Sequence, residues 1–128
     1  MNYGQNKPIK SFADLDAWEG AHKLVIMIYE ISKNFSKEEV FGLTNQMRRA
    51  VVSITSDTAE GFSRQSYKDK IQFYSIAFGS LTELQSQVIA TKDVGFMNQN
   101  DFSKVIDQSA VVHKILSGLI KSSKSRCL

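Results

Sequence analysis

The chain is short of the residues on which most site chemistry and most helix breaks depend. Among its 128 residues it holds one proline, one cysteine and two histidines. Pro8 precedes all of the periodic sequence, so no proline interrupts a long helix after it. Cys127 lies close to the C-terminus, which excludes an internal disulfide framework and makes a reducing, cytoplasmic setting the simplest expectation. His22 and His113 each lack a second metal ligand three or four residues further on, so each reads as a core-flanking residue and no metal site is expected. No Gly-rich phosphate loop is present, nor a strand to precede one, and no cofactor is expected. No Arg precedes a His at the short spacing used by some all-helical RNases. The expectation is a protein that is not an enzyme.

Long apolar runs are also missing. The longest, Leu24 to Tyr29, falls far short of the ~20 residues that span a bilayer. The polar stretch from Met1 to Lys10 lacks the apolar core of a signal peptide. With 42% hydrophobic and 23% charged residues, the composition fits one soluble domain with a single core. The net charge of +3 permits a nucleic acid or another anionic partner without requiring one.

Start and stop signals divide the rest into four helical segments. Ser11-Phe-Ala-Asp14 reads as a capping box opening a helix to about Asn34, with Leu15, Trp18, Ala21, Val25, Ile28, Ile31 and Phe35 as its core stripe. Ser36-Lys-Glu-Glu39 is a second box, with Phe35 and Val40 as a hydrophobic staple. Gly42 interrupts its first turn before a long helix that ends near Gly61. Ser66 opens a third helix, striped by Tyr67, Ile71, Tyr74, Phe78, Leu81, Leu84 and Val88, and Gly95 stops it, with Phe96 supplying the hydrophobic contact. Asn98 opens the last, stapled by Met97 and Phe102 and striped by Phe102, Val105, Ile106, Ser109, Val112, Leu116 and Leu119. The expected organisation is a polar N-terminal tail over 1–10, a bundle over 11–121 and a frayed polar tail over 122–128. Short connections make neighbours antiparallel, which gives an all-α, up-down-up-down four-helix bundle.

The second helix is unusual. Leu43, Met47, Ala50, Ile54 and Thr58 form an apolar face, and a neighbouring face carries Gln46, Arg49, Ser53, Ser56 and Glu60. Small polar residues on a helix suit close packing against a second partner, so this stripe, with Glu83 of the third helix, reads as a structural or interface feature. Arg49 is read as a structural ion-pair or capping residue, with Glu60 or Glu83 of a neighbouring helix or subunit as partner. For Arg48 a structural contact and a phosphate contact both stay open. The aromatic residues lie on core stripes and give no support for base stacking.

Two other surfaces stand out. Ile26 and Met27 lie between Lys23 and Glu30, and Val111 and Ile115 lie among Lys104, Gln108 and Lys114, all on nominally wet faces. They are the candidate oligomer interface. Lys114, Lys121, Lys124 and Arg126 form a basic cluster without intervening acid, joined by Lys7 and Lys10, and read either as a nucleic-acid footprint or as a solvated terminus.

The run Phe41-Gly-Leu, Gln46-Met-Arg-Arg-Ala-Val-Val-Ser53-Ile, Ser56 and Ala59-Glu-Gly61 closely resembles the signature of small four-helix-bundle proteins encoded in intervening sequences of bacterial 23S ribosomal RNA genes. The accessory variability proteins of diversity-generating retroelements belong to the same family. The likeness continues through Ile76-Ala-Phe-Gly-Ser80-Leu-Thr-Glu83-Leu and Val94-Gly-Phe96, and spans about Phe12 to Leu119. It implies a homopentameric ring and, for the retroelement members, basic surfaces that bind nucleic acid together with a reverse-transcriptase partner. This chain departs from the usual Ser-Ile-Pro-Ser-Asn-Ile-Ala-Glu-Gly by reading Ser53-Ile-Thr-Ser-Asp-Thr-Ala-Glu-Gly61. Without the proline the helix is expected to be straighter, and Asp57 weighs against an anionic ligand at that point. The resulting expectation is a non-catalytic, self-associating scaffold that accompanies RNA or DNA without reading sequence. A protein–protein adaptor is the alternative.

Overall fold

The first capping box forms, but around a shorter element than its sequence suggests. Ser11 Oγ accepts from the Ala13 amide and Asp14 Oδ2 accepts from the Ser11 amide, which closes a single 3-10 turn, Phe12–Asp14. Leu15 is then extended, with ψ of 130°. The long helix starts only at Asp16, and the break lets the Phe12 ring fold edge-on against Trp18, centroids 5.3 Å apart. The computed structural model describes residues 8–127, apart from the side chains at positions 39–41. The Phe35–Val40 staple and Lys7 therefore lie outside what it describes.

Among the described residues five α-helices follow: α1 (Asp16–Ser32), the one-turn α2 (Lys37–Glu39), α3 (Asn45–Ser63), α4 (Tyr67–Asp93) and α5 (Gln99–Ser125). Between α2 and α3 the chain makes a π-helical turn, Val40–Thr44, in which Gly42 leaves helical geometry at φ −105°, ψ −119°. The expected interruption at Gly42 is therefore present. Among the described residues there is no strand.

The caps of the last two helices match their sequence signals. Ser66 Oγ accepts from the Asp69 amide, and Asn98 Oδ1 accepts from the Asp101 amide at 2.7 Å. Gly95 takes φ of 91°, with Phe96 N donating to Thr91 O and Gly95 N to Lys92 O, the paired bonds of a Schellman stop. The next residue, Met97, is buried in the core and fixes where the connection turns. At the other connection Lys70 Nζ caps the end of α3, donating to Phe62 O at 2.6 Å and Gly61 O at 3.4 Å.

Each long helix packs against two others: α1 against α3 and α5, and α4 against α3 and α5. Leu24, Ile28, Met47, Ile54, Leu81, Leu84, Val88 and Val112 lie in the main core cluster, and Ala17, Tyr74, Ala77 and Leu116 form a smaller one. Full burial of such a Leu or Ile contributes about 1.5–3 kcal/mol. Every seam also carries a polar tie. Arg48 Nε donates to Ser32 Oγ between α3 and α1, and Thr91 Oγ1 reaches Met47 Sδ between α4 and α3. Gln85 Nε2 donates to Ser109 Oγ between α4 and α5, and buried Gln108 Nε2 donates to Gly20 O between α5 and α1.

Two expectations need correction. In α1 the buried side is Ala17, Gly20, Ala21, Leu24, Ile28 and Ser32, whereas Leu15, Trp18, Val25, Ile31 and Phe35 flank it half-buried. The face with the smaller side chains turns inward because it lets α1 come close to α3 and α5. In α5 the helix runs on to Ser125, through much of the expected tail. Ser123 is buried there, its hydroxyl satisfied by Leu119 O at 2.7 Å.

Candidate nucleic-acid and assembly surfaces

The polar stripe of α3 faces outward within the single chain. Gln46, Arg49, Ser56 and Glu60 are exposed, Ser53 is half-buried, and Glu83 of α4 is exposed. Gln46, Arg49, Ala50, Ser53 and Glu83 line one cleft where α3 meets α4. Gln46, Arg49 and Ser53 are thus brought together with Glu83, though not through a buried charge pair, while Ser56 and Glu60 lie further along α3 and outside this cleft. Glu60 Oε2 lies 3.7 Å from an Arg64 amino group one turn on, in an open ion pair. Glu83 accepts from Gln87 Nε2 at 3.0 Å. Among the described residues Arg49 has no ion-pair partner. Within the single chain no second helix packs over this stripe, because α4 covers only one edge of α3.

Asp57 sits half-buried on the same helix. Burial, and then the negative charge of Glu60, holds its carboxyl above the usual aspartate value. One turn of α4 away from Glu83, Gly79 has open space where a Cβ would stand, and Ile76 is 48% exposed. Nothing inside the chain requires a glycine there.

Arg48 makes contacts within the chain. Its Nε donates to Ser32 Oγ at 3.0 Å and its guanidinium lies 4.8 Å from the Tyr29 ring centre. Ser32 Oγ itself donates to Ile28 O. A second cleft, lined by Tyr29, Asn45, Arg48, Arg49, Val52 and Ser53, runs along this contact. Arg48 and Arg49 therefore serve adjoining clefts, as neighbours about 100° apart on a helix do.

The four apolar candidates separate on inspection. Ile26 is 52% exposed, but Met27 packs against the main core and Ile115 against the smaller one. Val111 is half-buried. Ile26 and Met27 line a cleft with Glu30, Ile31, Asn34, Asp101 and Lys104, between α1 and α5. On α1, α3 and α4 the exposed apolar residues not anticipated are Tyr29, Val52, Ile76 and Ile89. Ile76 lies off the Tyr74–Phe78–Leu81 stripe, and applying to α4 the test that picked out Ile26 would have found it.

The basic cluster lies on a helix. Lys114, Lys121 and Lys124 are exposed on α5, and the Arg126 guanidinium reaches the Tyr67 hydroxyl at 3.3 Å, tying the end of α5 to the start of α4. Lys121 and Lys124 border a groove whose other residues are Ser75, Phe78, Ser117 and Ile120. Phe78, placed on the core stripe from sequence, thus also reaches the surface, with the His113 ring 4.8 Å from its own. His22 stacks on Trp18 at 4.7 Å, the rings 10° from parallel. Among the described residues no group of three or more His, Cys, Asp or Glu is placed to hold a metal ion, and no helix is long and apolar enough to cross a membrane.

Comparison with known proteins agrees with this architecture. No curated protein matches the chain. A solved structure from Bacteroides thetaiotaomicron, described as a protein with unknown function from the S23 ribosomal protein family, superposes with a TM-score of 0.76 over 82% of this chain and 95% of that one. The two are 20% identical, so the likeness is one of fold. The sequence model described as 23S rRNA-intervening sequence protein matches residues 13–118, from the first turn to the basic half of α5. Four long helices in the expected order, and a match over most of their length, make this chain a member of the 23S rRNA-intervening sequence protein family.

Proposed function

We propose that the protein is a non-catalytic scaffold of the cytoplasm: an antiparallel, up-down-up-down bundle that assembles into a homo-oligomeric ring, a pentamer, and associates with RNA or DNA through basic surfaces without reading sequence. Short connections between long helices support the antiparallel order. The observation that carries the assembly is the outer face of α3 and α4, where Arg49 and Glu83 line one cleft without pairing, beside exposed Ile76 and open Gly79. Opposite charges, a bare helix backbone and an apolar residue suit the flank of a second copy. The nucleic-acid role rests on the C-terminal half of α5. From Gln108 to Arg126 it carries four Lys or Arg and no acid. Around a ring that charge repeats and the field grows.

Light scattering coupled to size exclusion tests the assembly, with a monomer at micromolar concentration as the contrary result. Binding of unrelated RNA and DNA oligomers across a salt series tests the second part. Affinity is expected to fall steeply with salt and to ignore sequence. Indifference to nucleic acid at low salt would favour a protein–protein adaptor acting on the product of a neighbouring gene, a reverse transcriptase among the candidates.

A further inference from the structure

The groove between α4 and α5 has a different character from the other clefts. Its floor is apolar, formed by Phe78 and Ile120, and its rim is Ser75, Ser117, Lys121 and Lys124. Its volume is about 410 Å³, within the range of small-ligand sites. Phe78 is half-buried and anchored on the smaller core cluster, so its ring is held in place rather than free to collapse over the groove. The ring of exposed His113 lies against it one turn before Ser117.

Charge runs one way here. Lys121 and Lys124 are three apart on a helix and so share a face. Lys114 stands two turns before Lys121 on the same line of α5, ~10 Å along the axis. No acid occurs in α5 after Asp107, and none in α4 between Asp69 and Glu83, so neither wall of the groove brings a carboxylate to these lysines. Asp16 and Glu19, at the start of α1, belong to the same end of the bundle but not to the groove lining. An apolar slot with an aromatic wall, below a row of cations that form no ion pair among the described residues, matches a flat ring attached to a chain of phosphates. A duplex hides its ring faces, and an acidic peptide has none to offer.

We infer that this groove binds single-stranded nucleic acid, one base against Phe78 and Ile120 and the adjoining phosphates on Lys121, Lys124 and Lys114. The inference rests on the nucleic-acid reading above and narrows it to one place and one strand state. Stacking on an aromatic wall is tolerant of base identity, which accords with binding that ignores sequence. Arg126, held to Tyr67, borders the path without lining the groove.

The test is fluorescence anisotropy with the whole protein and a labelled ten-nucleotide oligouridylate at low salt. Three polyanionic comparison probes are used: the same backbone with abasic sites, a duplex of equal length, which has two phosphate backbones in place of one, and polyglutamate. The oligouridylate is expected to bind about tenfold more tightly than the abasic strand. The log–log salt slope is expected near −2 and to flatten by about 0.7 on Lys121→Ala or Lys124→Ala. Exposed Ser75 allows Ser75→Glu without disturbing the core, and this change should weaken binding at least tenfold. Phe78→Leu, which keeps an apolar anchor, should erase the preference over the abasic strand. Lys104→Ala, on the other half of α5, should change nothing. Equal affinity for the oligouridylate, the abasic strand and polyglutamate, or salt-sensitive binding indifferent to Ser75→Glu, overturns the groove while leaving a basic surface in place. No binding of any nucleic acid at low salt overturns both readings.

Discussion

Gly61 stands against the ring of Tyr74 so closely that an added Cβ would lie 2.6 Å from Cε1 and 2.7 Å from Cδ1. The Cβ of Phe73 would lie 3.1 Å away. Tyr74 is 2% exposed, so its ring has no free space to retreat into. The glycine is therefore a steric requirement of the α3–α4 contact. Gly61→Ala is expected to destabilise the chain by about 1–3 kcal/mol through overpacking, less the ~1 kcal/mol that alanine gains in a helix. Combining it with Tyr74→Leu should recover part of the alanine's own loss. Urea unfolding of the two single variants and the double variant measures this coupling, and simple additivity would contradict the contact.

Arg48 joins two helices by geometry as well as charge. Its Nε–H bonds Ser32 and its guanidinium carbon lies over the Tyr29 ring. Arg48→Ala should cost about 1.5–3 kcal/mol of chain stability, in the range of hydrogen bonds to charged groups. Arg48→Lys should not restore it, because lysine offers neither the Nε–H nor the planar face. Full rescue by lysine would reduce the contact to simple charge.

Glu60 and Arg49 supply the opposite case. The Glu60–Arg64 pair is open to water and one turn long, so its loss should cost no more than about 0.5 kcal/mol. Arg49→Ala should leave the stability of the single chain unchanged. A larger loss in either variant that disappears on dilution would locate the missing partner on another copy. Thermal melts over a hundredfold range of protein concentration separate the two outcomes.

The pH dependence of Asp57 follows from its environment. Burial, then Glu60, raises its carboxyl above the ordinary value of 3.8, so the folded chain disfavours the charged form. A raised acid weakens the fold once pH climbs through that range and has no effect below 3.8. Asp57→Asn should therefore raise the melting temperature at pH 7 and leave it unchanged at pH 3. An equal effect at both pH values would mean that shape, not charge, is responsible.

The parts of the fold legible in sequence are those decided by local chemistry. Ser66, Gly95 and Asn98 act on backbone groups within a turn or two, and their neighbours suffice to identify them. Ser11 was legible as a cap but not as the cap of a single turn, because Leu15 is extended and the long helix starts only at Asp16. The buried face of α1 was misplaced for a related reason. Ala17, Gly20 and Ser32 carry little hydrophobicity, and only the approach of two other helices makes their small size an advantage. Of the surfaces, the stripe from Gln46 to Glu60 was visible as a pattern, while its exposure depends on which edge α4 covers. The groove beside Lys121 was hidden because Phe78 serves the core and the surface at once, and a one-dimensional stripe assigns it to only one of them.

The Gly20–Gln108 bond joins residues 88 positions apart in sequence, whereas the Gln85–Ser109 bond spans 24. Between α4 and α5 lie only Val94 to Asn98, turned by Gly95 and pinned by Met97. Closing that short connection loses little chain entropy, and closing the α1–α5 seam loses the most. We expect α4 and α5 to pair early in folding and the α1–α5 seam to close last. Mutations at Ser109 should then slow folding, while those at Gly20 should mainly speed unfolding. The seam carrying the longest-range bond is also the one along which the bundle should first open.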